Sequence, residues 1–378
     1  MGKTTTAAAT AVVAAGQGLR TLVVSTDTAH SLADAFGLPL GDRPSELAPG
    51  LYGQQINALA RLEEQWGGLR GYLATVLDWA GVRGVEAEEL TLLPGLEEVI
   101  ALTDLADLAD DNRFDLLVVD CAPTAETLRL LSLPEVLAWW MDRVFPLGRQ
   151  LSRVVGPVVR QFVGVPVPED SVFGALDRLY QRLSAVKALL ADRQRTGVRL
   201  VTNAEAVVIA ETRRTATYLA LFGYRVDAVV VNRLLPADLR DPFFERWITA
   251  QSEHLAVLDE AFAPVPVLRS LWAAEEPIGI EHLGAFAHRL YGERDPSAWQ
   301  HDKAILAVEE HDDGTALVLE LPFTERDGIS LVRRGDELHV TVGPYRRALF
   351  LPDSLRRRKI VDASVRDDRL TVVFAPTE

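Results

Sequence analysis

The chain has 378 residues, a formal net charge of −15 at pH 7 and one cysteine. This length exceeds one ordinary domain core and predicts two domains or one large one. The acidic charge argues against an extended surface for nucleic acid, and one cysteine excludes an internal disulfide or a multi-cysteine metal cluster within one chain. No signal peptide is visible before the first polar threonines, so we expect a cytoplasmic protein.

Up to about residue 292, short apolar runs alternate with longer stretches of helical periodicity. The runs are rich in Val and Leu and end in polar residues, which is typical of parallel strands buried on both faces; they cover 20–27, 114–124, 197–203 and 226–236. The predicted helices cover 4–15, 96–110, 171–192 and 205–222. The pattern predicts an α/β domain, residues 1–292, with a mostly parallel sheet flanked by helices.

The pattern changes after a polar segment, 293–302, which we interpret as an exposed linker that is open to protease. Residues 303–378 show short alternating strands separated by Gly, Asp and Pro turns. Charged residues alternate there with Val and Leu, as in strands with one face on a core and one in water. We predict an autonomous all-β sandwich of about seven or eight strands, without catalytic groups.

The stretch Gly2-Lys3-Thr4-Thr5, followed by alanine-rich helical sequence, has the residue types of the second half of a phosphate-binding loop. In that interpretation Lys3 neutralises the β- and γ-phosphates and Thr4 offers its hydroxyl to Mg²⁺. The helix points its N-terminal amides at the same anion. Such a short motif also occurs by chance, so the rest of the sequence must show whether it marks a phosphate site.

Two acidic residues, Asp27 and Asp120, end predicted strands. The carboxyl ends of parallel strands are where α/β sheets assemble their sites. An acid that closes a Val-rich strand can hold Mg²⁺ directly or through water, although either residue could instead cap a helix. Together with the loop, these acids predict a nucleotide site.

Several segments resemble the ArsA family, which comprises the arsenite-pump ATPases and the ATPases that target tail-anchored membrane proteins. "STDTAHSLADAFG" (25–37) is similar to the family's switch I, and "DCAPTAETLRLLSLPE" (120–135) is similar to its switch II. "PGLEEVIAL" (94–102) and "VVVNRLLP" (229–236) also resemble family stretches, so the likeness covers about 2–290. The tail resembles the α-crystallin-like domain that some bacterial members carry.

The resemblance implies a P-loop ATPase that binds ATP and Mg²⁺, works as a homodimer, and couples hydrolysis to binding or delivery of a protein client. Asp27 would orient or deprotonate the attacking water, and Asp120 would hold Mg²⁺. Asn232 would contact adenine, although an Asn there could also form a turn. The helical region 133–192 would offer a hydrophobic client groove, or its aromatic residues form the core of the helical layer.

Departures from the family narrow the expected function. Arsenite pumps bind the metalloid through several cysteines, and soft thiolates suit that chemistry. This chain offers Cys121 alone, and Glu126 stands where the family has a histidine. The zinc-binding Cys-x-x-Cys pair of the eukaryotic targeting factors is missing as well. Arsenite pumping is therefore disfavoured.

The family's loop reads Lys-Gly-Gly-Val-Gly-Lys-Thr-Thr after a strand, and Met1 stands where its valine would be. Because GTG encodes valine and also serves as a bacterial start codon, we expect the translation start to lie upstream. A further strand and Gly-Lys-Gly-Gly would then precede Met1; a natural or engineered truncation is the alternative. Without that segment the chain should fold poorly and hydrolyse nucleotide badly. A stop codon directly upstream would contradict a misassigned start.

Two other functional classes stay open from the sequence. A partitioning or cell-division ATPase would use the same loop on DNA or membrane, but the acidic charge and the lack of a basic amphipathic C-terminal helix disfavour it. Binding of nucleic acid and stable membrane insertion are not expected. In a non-hydrolysing scaffold or chaperone the sandwich would do the work, and a measurement of ATP turnover separates this class from an ATPase.

Overall fold

The structure, a computed structural model, describes residues 1–26, 31–57, 71, 96–121, 170–301 and 305–375. In the first unit the described helices are α1 (Lys3–Gly16), α2 (Ser31–Phe36), α3 (Leu96–Ala109), α4 (Asp170–Ala191), α5 (Ala206–Phe222), α6 (Pro242–Phe262) and α7 (Ile280–Tyr291). The strands are β1 (Thr21–Ser25), β2 (Ser45–Ala48), β3 (Leu51–Gln55), β4 (Leu116–Asp120), β5 (Val198–Thr202), β6 (Val226–Leu234) and β7 (Val267–Leu271). None of these helices combines the length and the apolar character that crossing a membrane requires.

These strands form two sheets that are hydrogen-bonded separately in the described part of the chain, with orders β2-β3-β1-β4 and β5-β6-β7. All neighbours pair in parallel except β2, which is antiparallel to β3. One apolar core joins the two sheets under α1 and α7, and it includes Val23, Val118, Val230 and Leu268. The predicted α/β fold, a mostly parallel sheet arrangement flanked by helices, is confirmed.

Helix α1 forms because its sequence is rich in alanine, the residue with the highest helix propensity. Ala8, Ala9 and Ala11 are fully buried, and such small side chains let α1 approach its neighbours closely. Helix α7 packs along α1, where a Cβ added to Gly284 would lie 3.5 Å from a methyl group of Val12. The core therefore holds α1 closely, and α1 carries the predicted loop at its amino end.

The second unit is built from antiparallel strands. They are β8 (Leu306–His311), β9 (Gly314–Glu320), β10 (Ile329–Arg334), β11 (Glu337–Val342), β12 (Tyr345–Phe350), β13 (Ile360–Arg366) and β14 (Arg369–Phe374), with a short helix α8 (Asp353–Arg356) after β12. Their orders are β10-β11-β12 and β13-β14-β9-β8. Alternate residues of β11 are buried, as the period of two in its sequence predicts. The predicted small all-β unit is confirmed.

Helix α5 packs against the sandwich. Leu221 is fully buried and belongs to the apolar core of the sandwich. The ring of Tyr345 lies 4.5 Å from the ring of Tyr218, measured between centroids, and Arg347 donates a hydrogen bond to the carbonyl of Leu221. The two units therefore share apolar core at this helix.

The segment between the two units also contacts the α/β unit. The guanidinium of Arg225 lies 4.0 Å from the ring centroid of Trp299, and Arg199 donates to the carbonyl of Ala298 at 3.2 Å. Residues 293–295 are exposed. The division of the chain at this segment, and its sensitivity to protease, stay predictions.

Candidate functional site

Gly2 is the N-cap residue of α1, directly before Lys3, and its backbone is left-handed, with φ 92° and ψ 31°. A Cβ added there would lie 2.2 Å from Nδ2 of Asn232. Both the backbone conformation and the close approach of Asn232 therefore require glycine. The amide of Thr6 donates to the Gly2 carbonyl at 3.0 Å and closes the first turn of the helix.

The amino end of α1 is suited to an anion. Its N-cap is a glycine, which has no side chain to cap the helix, and its first turn contains no acidic residue. Helix N-termini carry partial positive charge and amide groups in need of acceptors, and Lys3 adds a full positive charge in that turn. These features together favour a bound phosphate.

Strand β4 brings Asp120 to the same region. The carboxylate is buried, and the Ser25 hydroxyl donates to its Oδ2 at 3.4 Å. The amide of Thr26 donates to the Asp120 carbonyl at 3.1 Å, which ties the ends of β1 and β4 together. A carboxylate and a threonine hydroxyl, such as that of Thr4, are oxygen ligands of the kind that Mg²⁺ prefers.

Cys121 follows Asp120, and the pKa of its thiol depends on the charges nearby. Burial raises the pKa of the Cys121 thiol to about 12; the negative charge of Asp120 raises it as well, and the positive charge of Lys3 opposes both. Lys3 is therefore close to the end of β4. The thiol stays protonated at neutral pH, which makes it a poor metal ligand. The described residues contain no group of three His, Cys, Asp or Glu side chains able to hold a metal ion.

Asn232 lies near the end of β6, where the ladder with β7 is irregular between Val231 and Leu234. The next residue, Arg233, has a left-handed φ of 58°. The Asn232 amide donates from Nδ2 to the Met1 carbonyl at 3.1 Å and accepts at Oδ1 from the Arg233 amide at 2.9 Å. Asn232 is thus buried against the loop, and its predicted contact with adenine stays a prediction.

Two charged residues beside the loop were missed in the sequence. Burial lowers the pKa of the Met1 amino group, and the positive charges of Arg233 and Lys3 lower it further, whereas Glu205 raises it. Glu205 precedes α5, and Arg233 interrupts the regular pairing of β6. Glu205 lies in no recognised motif, and Arg233 has no assigned role within the family-like stretch 229–236, so only the tertiary structure shows that they lie near the loop.

The predicted site residues fall into two groups. Those at the loop and at the neighbouring strand ends are described and lie in one region: Gly2, Lys3, Thr4, Thr5, Asp120 and Asn232. Others lie outside the described residues: Asp27, Glu126 and the part of the expected client groove that covers 133–169. The assignment of Asp27 as the catalytic acid and the client groove therefore stay predictions.

Comparison with known proteins gives matches along almost the whole chain. Residues 1–292 match the family ArsA_ATPase, described as "Anion-transporting ATPase", and residues 312–374 match "HSP20-like domain found in ArsA". Proteins of Prosthecochloris vibrioformis and Chlorobaculum tepidum are 37% and 36% identical over 377 residues, covering 99% of this chain and 93% of each relative. A protein of Aquifex aeolicus is 32% identical over 385 residues, 99% of this chain and 97% of the relative. The printed names of all three begin "Putative arsenical pump-driving ATPase".

Proposed function

Because this chain belongs to the ArsA family of ATPases, we propose that it is a nucleotide switch that couples ATP hydrolysis to binding or delivery of a protein client. The observation that carries the proposal is the left-handed Gly2 beneath Asn232, at a helix terminus that bears Lys3 and no acid. A phosphate chain fits this place because the glycine leaves the backbone amides accessible to it.

The residues around the loop would have different roles in phosphate transfer. Lys3 and the first amides of α1 would bind the phosphate oxygens and stabilise the charge that develops on them. Thr4 and Asp120 would hold Mg²⁺, which neutralises the β- and γ-phosphates when bound. Asp27 would orient or deprotonate the attacking water. Phosphate transfer needs mainly positioning and charge stabilisation, which these residue types provide.

Helix α5 supports the coupling between the nucleotide and the sandwich. Its amino end follows Glu205, shortly after strand β5. Its carboxyl end places Leu221 in the sandwich core. The helix has 17 residues and spans roughly 25 Å. A displacement at the amino end of α5, beside the carboxyl end of β5, would therefore reach the sandwich through one rigid element.

The proposed client is a protein with an exposed apolar segment, and the proposed active form is a cytoplasmic homodimer. The names of the relatives suggest arsenical pumping for those proteins. We do not extend that activity to this chain, because Cys121 is its one cysteine and a protonated thiol does not bind a soft metalloid well.

Replacement of Lys3 tests the position of the ATP site. Lys3→Ala should lower Mg²⁺-dependent ATP turnover on the order of 10²-fold, because it removes a charge aimed at the transferred phosphate. Lys359→Ala, which removes the same charge from an exposed position in the sandwich, is the matched control. ATP binding and phosphate release should be unchanged in the control. Equal behaviour of the two variants would contradict the proposed site.

Sedimentation tests the switch itself. An Asp27→Asn variant should retain ATP but not hydrolyse it, and ATP should then shift the protein towards a dimer. The same state should bind an apolar helical peptide more tightly or more weakly than the nucleotide-free protein does. A dimerisation constant and a peptide affinity that are both independent of nucleotide would contradict the coupling.

A further inference from the structure

Gly2, Thr6 and Thr10 lie on one face of α1, four residues apart. The Thr6 hydroxyl donates to the Gly2 carbonyl at 2.9 Å, and the Thr10 hydroxyl donates to the Thr6 carbonyl at 2.7 Å. Both threonines are buried. These hydrogen bonds connect the loop to the middle of the helix, one turn at a time.

The series continues beyond α1 through Tyr291, the last residue of α7. Its hydroxyl lies 2.6 Å from Oγ1 of Thr10, and it accepts from Nη1 of Arg199 at 3.2 Å. A guanidinium can only donate and a carbonyl can only accept. Because the Thr10 proton is used on the Thr6 carbonyl, Tyr291 must donate to Thr10. The chain of bonds is therefore directional, from Arg199 to the helix.

An ion pair anchors the far end of this hydroxyl chain. Arg199 donates from Nε and Nη2 to the two oxygens of Asp227, at 3.3 and 3.2 Å. The Asp227 side chain is 2% exposed and the Arg199 side chain 18% exposed. Charged donors make stronger hydrogen bonds, and in a buried setting they polarise the hydroxyls that follow. The anchor lies near the amino ends of β5 and β6, whereas Asn232 lies near the carboxyl end of β6.

We propose that Tyr291 and Thr10 are positioning residues for phosphate transfer. The other buried residues of α1 are mostly alanine and valine, and apolar contacts have no direction. The hydroxyl chain adds directional hydrogen bonds to these apolar contacts, and it therefore fixes the rotation and the axial position of α1. It thereby fixes Lys3 relative to Asp120. A misplacement of about 1 Å at such a site can lower the rate on the order of 10²-fold. The kinetic part of this inference rests on the proposed ATP site.

Three substitutions separate positioning from simple packing. Tyr291→Phe removes the hydroxyl and keeps the ring in the core, and Thr10→Val removes the other hydroxyl at nearly constant shape. Thr10→Ser retains the hydroxyl. The matched control is Thr215→Val, because Thr215 is equally buried and donates to the Glu211 carbonyl at 2.9 Å, but in α5 and outside the chain of bonds.

The first measurement is hydrogen exchange of the peptide 1–12 in the nucleotide-free, full-length protein. Tyr291→Phe and Thr10→Val should speed exchange in the first turns of α1, and Thr10→Ser should not. Thr215→Val should speed exchange in α5 alone. Unchanged exchange in α1 for both Tyr291→Phe and Thr10→Val would overturn the proposal. This measurement needs no nucleotide, so it stands even if the ATP site lies elsewhere.

The second measurement is ATP turnover. Tyr291→Phe and Thr10→Val should each lower kcat on the order of 10-fold, and the double variant should lose no more than either single one, because both break the same chain of bonds. Thr10→Ser should restore most of the rate. Unchanged kcat, additive losses, or an equal loss in Thr215→Val would overturn the positioning role.

Discussion

The α/β unit and the sandwich bury different kinds of side chain. Among the described residues, every buried side chain of the sandwich is apolar, whereas the α/β unit also buries Ser25, Asp120, Asp227 and Asn232. A buried polar group costs free energy unless it is hydrogen-bonded, and in the α/β unit such groups bond to strand ends, to the loop and to each other. The contrast places the buried polar groups of the described residues in the first unit, where we propose the nucleotide chemistry; a role of the second unit in association stays a prediction.

The largest expected effect follows from the close contact between Gly2 and Asn232. Gly2→Ala should abolish measurable ATP binding, because the new methyl group would meet the Asn232 amide at 2.2 Å and the left-handed backbone would be strained. Isothermal titration with Mg²⁺-ATP checks this result.

Gly18→Ala is the matched control for that titration. Gly18 also has a positive φ, 94°, but a Cβ there would meet nothing within 4 Å. The control should lose some stability through backbone strain, of the order of 1 kcal/mol, and bind ATP normally. If both alanine variants bind ATP alike, the loop is not where the nucleotide lies.

The next largest effect concerns the acid expected to act on water. Asp27→Asn should lower ATP turnover at least on the order of 10²-fold while ATP binding is retained, because an amide cannot accept the proton. Asp34→Asn, at an exposed position of α2, removes another carboxylate of the segment 25–37 and should leave turnover unchanged. Unaltered turnover in Asp27→Asn would remove this residue from the mechanism.

A third prediction concerns the core that the two units share. Leu221→Ala should destabilise the sandwich by about 2–5 kcal/mol, because it leaves a cavity in an apolar core. The affinity for ATP should stay within about twofold, since Leu221 is at the far end of α5 from Glu205. Val207→Ala, 78% exposed on the same helix, should change neither quantity. Loss of ATP binding without loss of sandwich stability would contradict the separation of roles.

The smallest expected effect concerns the adenine end of the site. Asn232→Ala should weaken the preference for ATP over GTP and should lower the affinity for both by a few-fold, on the order of 1 kcal/mol, because the Met1 carbonyl loses its donor. Asn203→Ala, just after β5, is the control. An affinity loss with unaltered preference would leave Asn232 as a loop contact and exclude its role in base selection.

The sequence predicts the fold well where the patterns are long and strong. The strands β1, β4, β5 and β6 lie within the predicted runs, because buried parallel strands consist almost wholly of apolar residues. Strand β7, Val267–Leu271, was missed because it is only half-buried and includes Arg269 and the exposed Leu271. Strand β3, Leu51–Gln55, ends in two glutamines that are nevertheless buried, so its sequence does not look like a core strand.

The candidate site is predictable only in part, because some of its contacts join residues that are far apart in the sequence. Gly2, Lys3 and Thr4 form a continuous motif that can be recognised from residue types alone. The contact of Asn232 with Met1 and that of Tyr291 with Thr10 join residues 231 and 281 positions apart. Such contacts depend on how β6 and α7 pack against α1, and no local pattern encodes that packing.

The most direct test of the account is a hydrogen-exchange footprint of Mg²⁺-ATP on the full-length protein. The account predicts protection at residues 1–6, at the ends of β1 and β4 and around Asn232, and no protection within β8–β14 beyond the contact with α5. Protection confined to the sandwich, with exchange at residues 1–6 unchanged, would contradict the claim that the α/β unit alone carries the nucleotide chemistry.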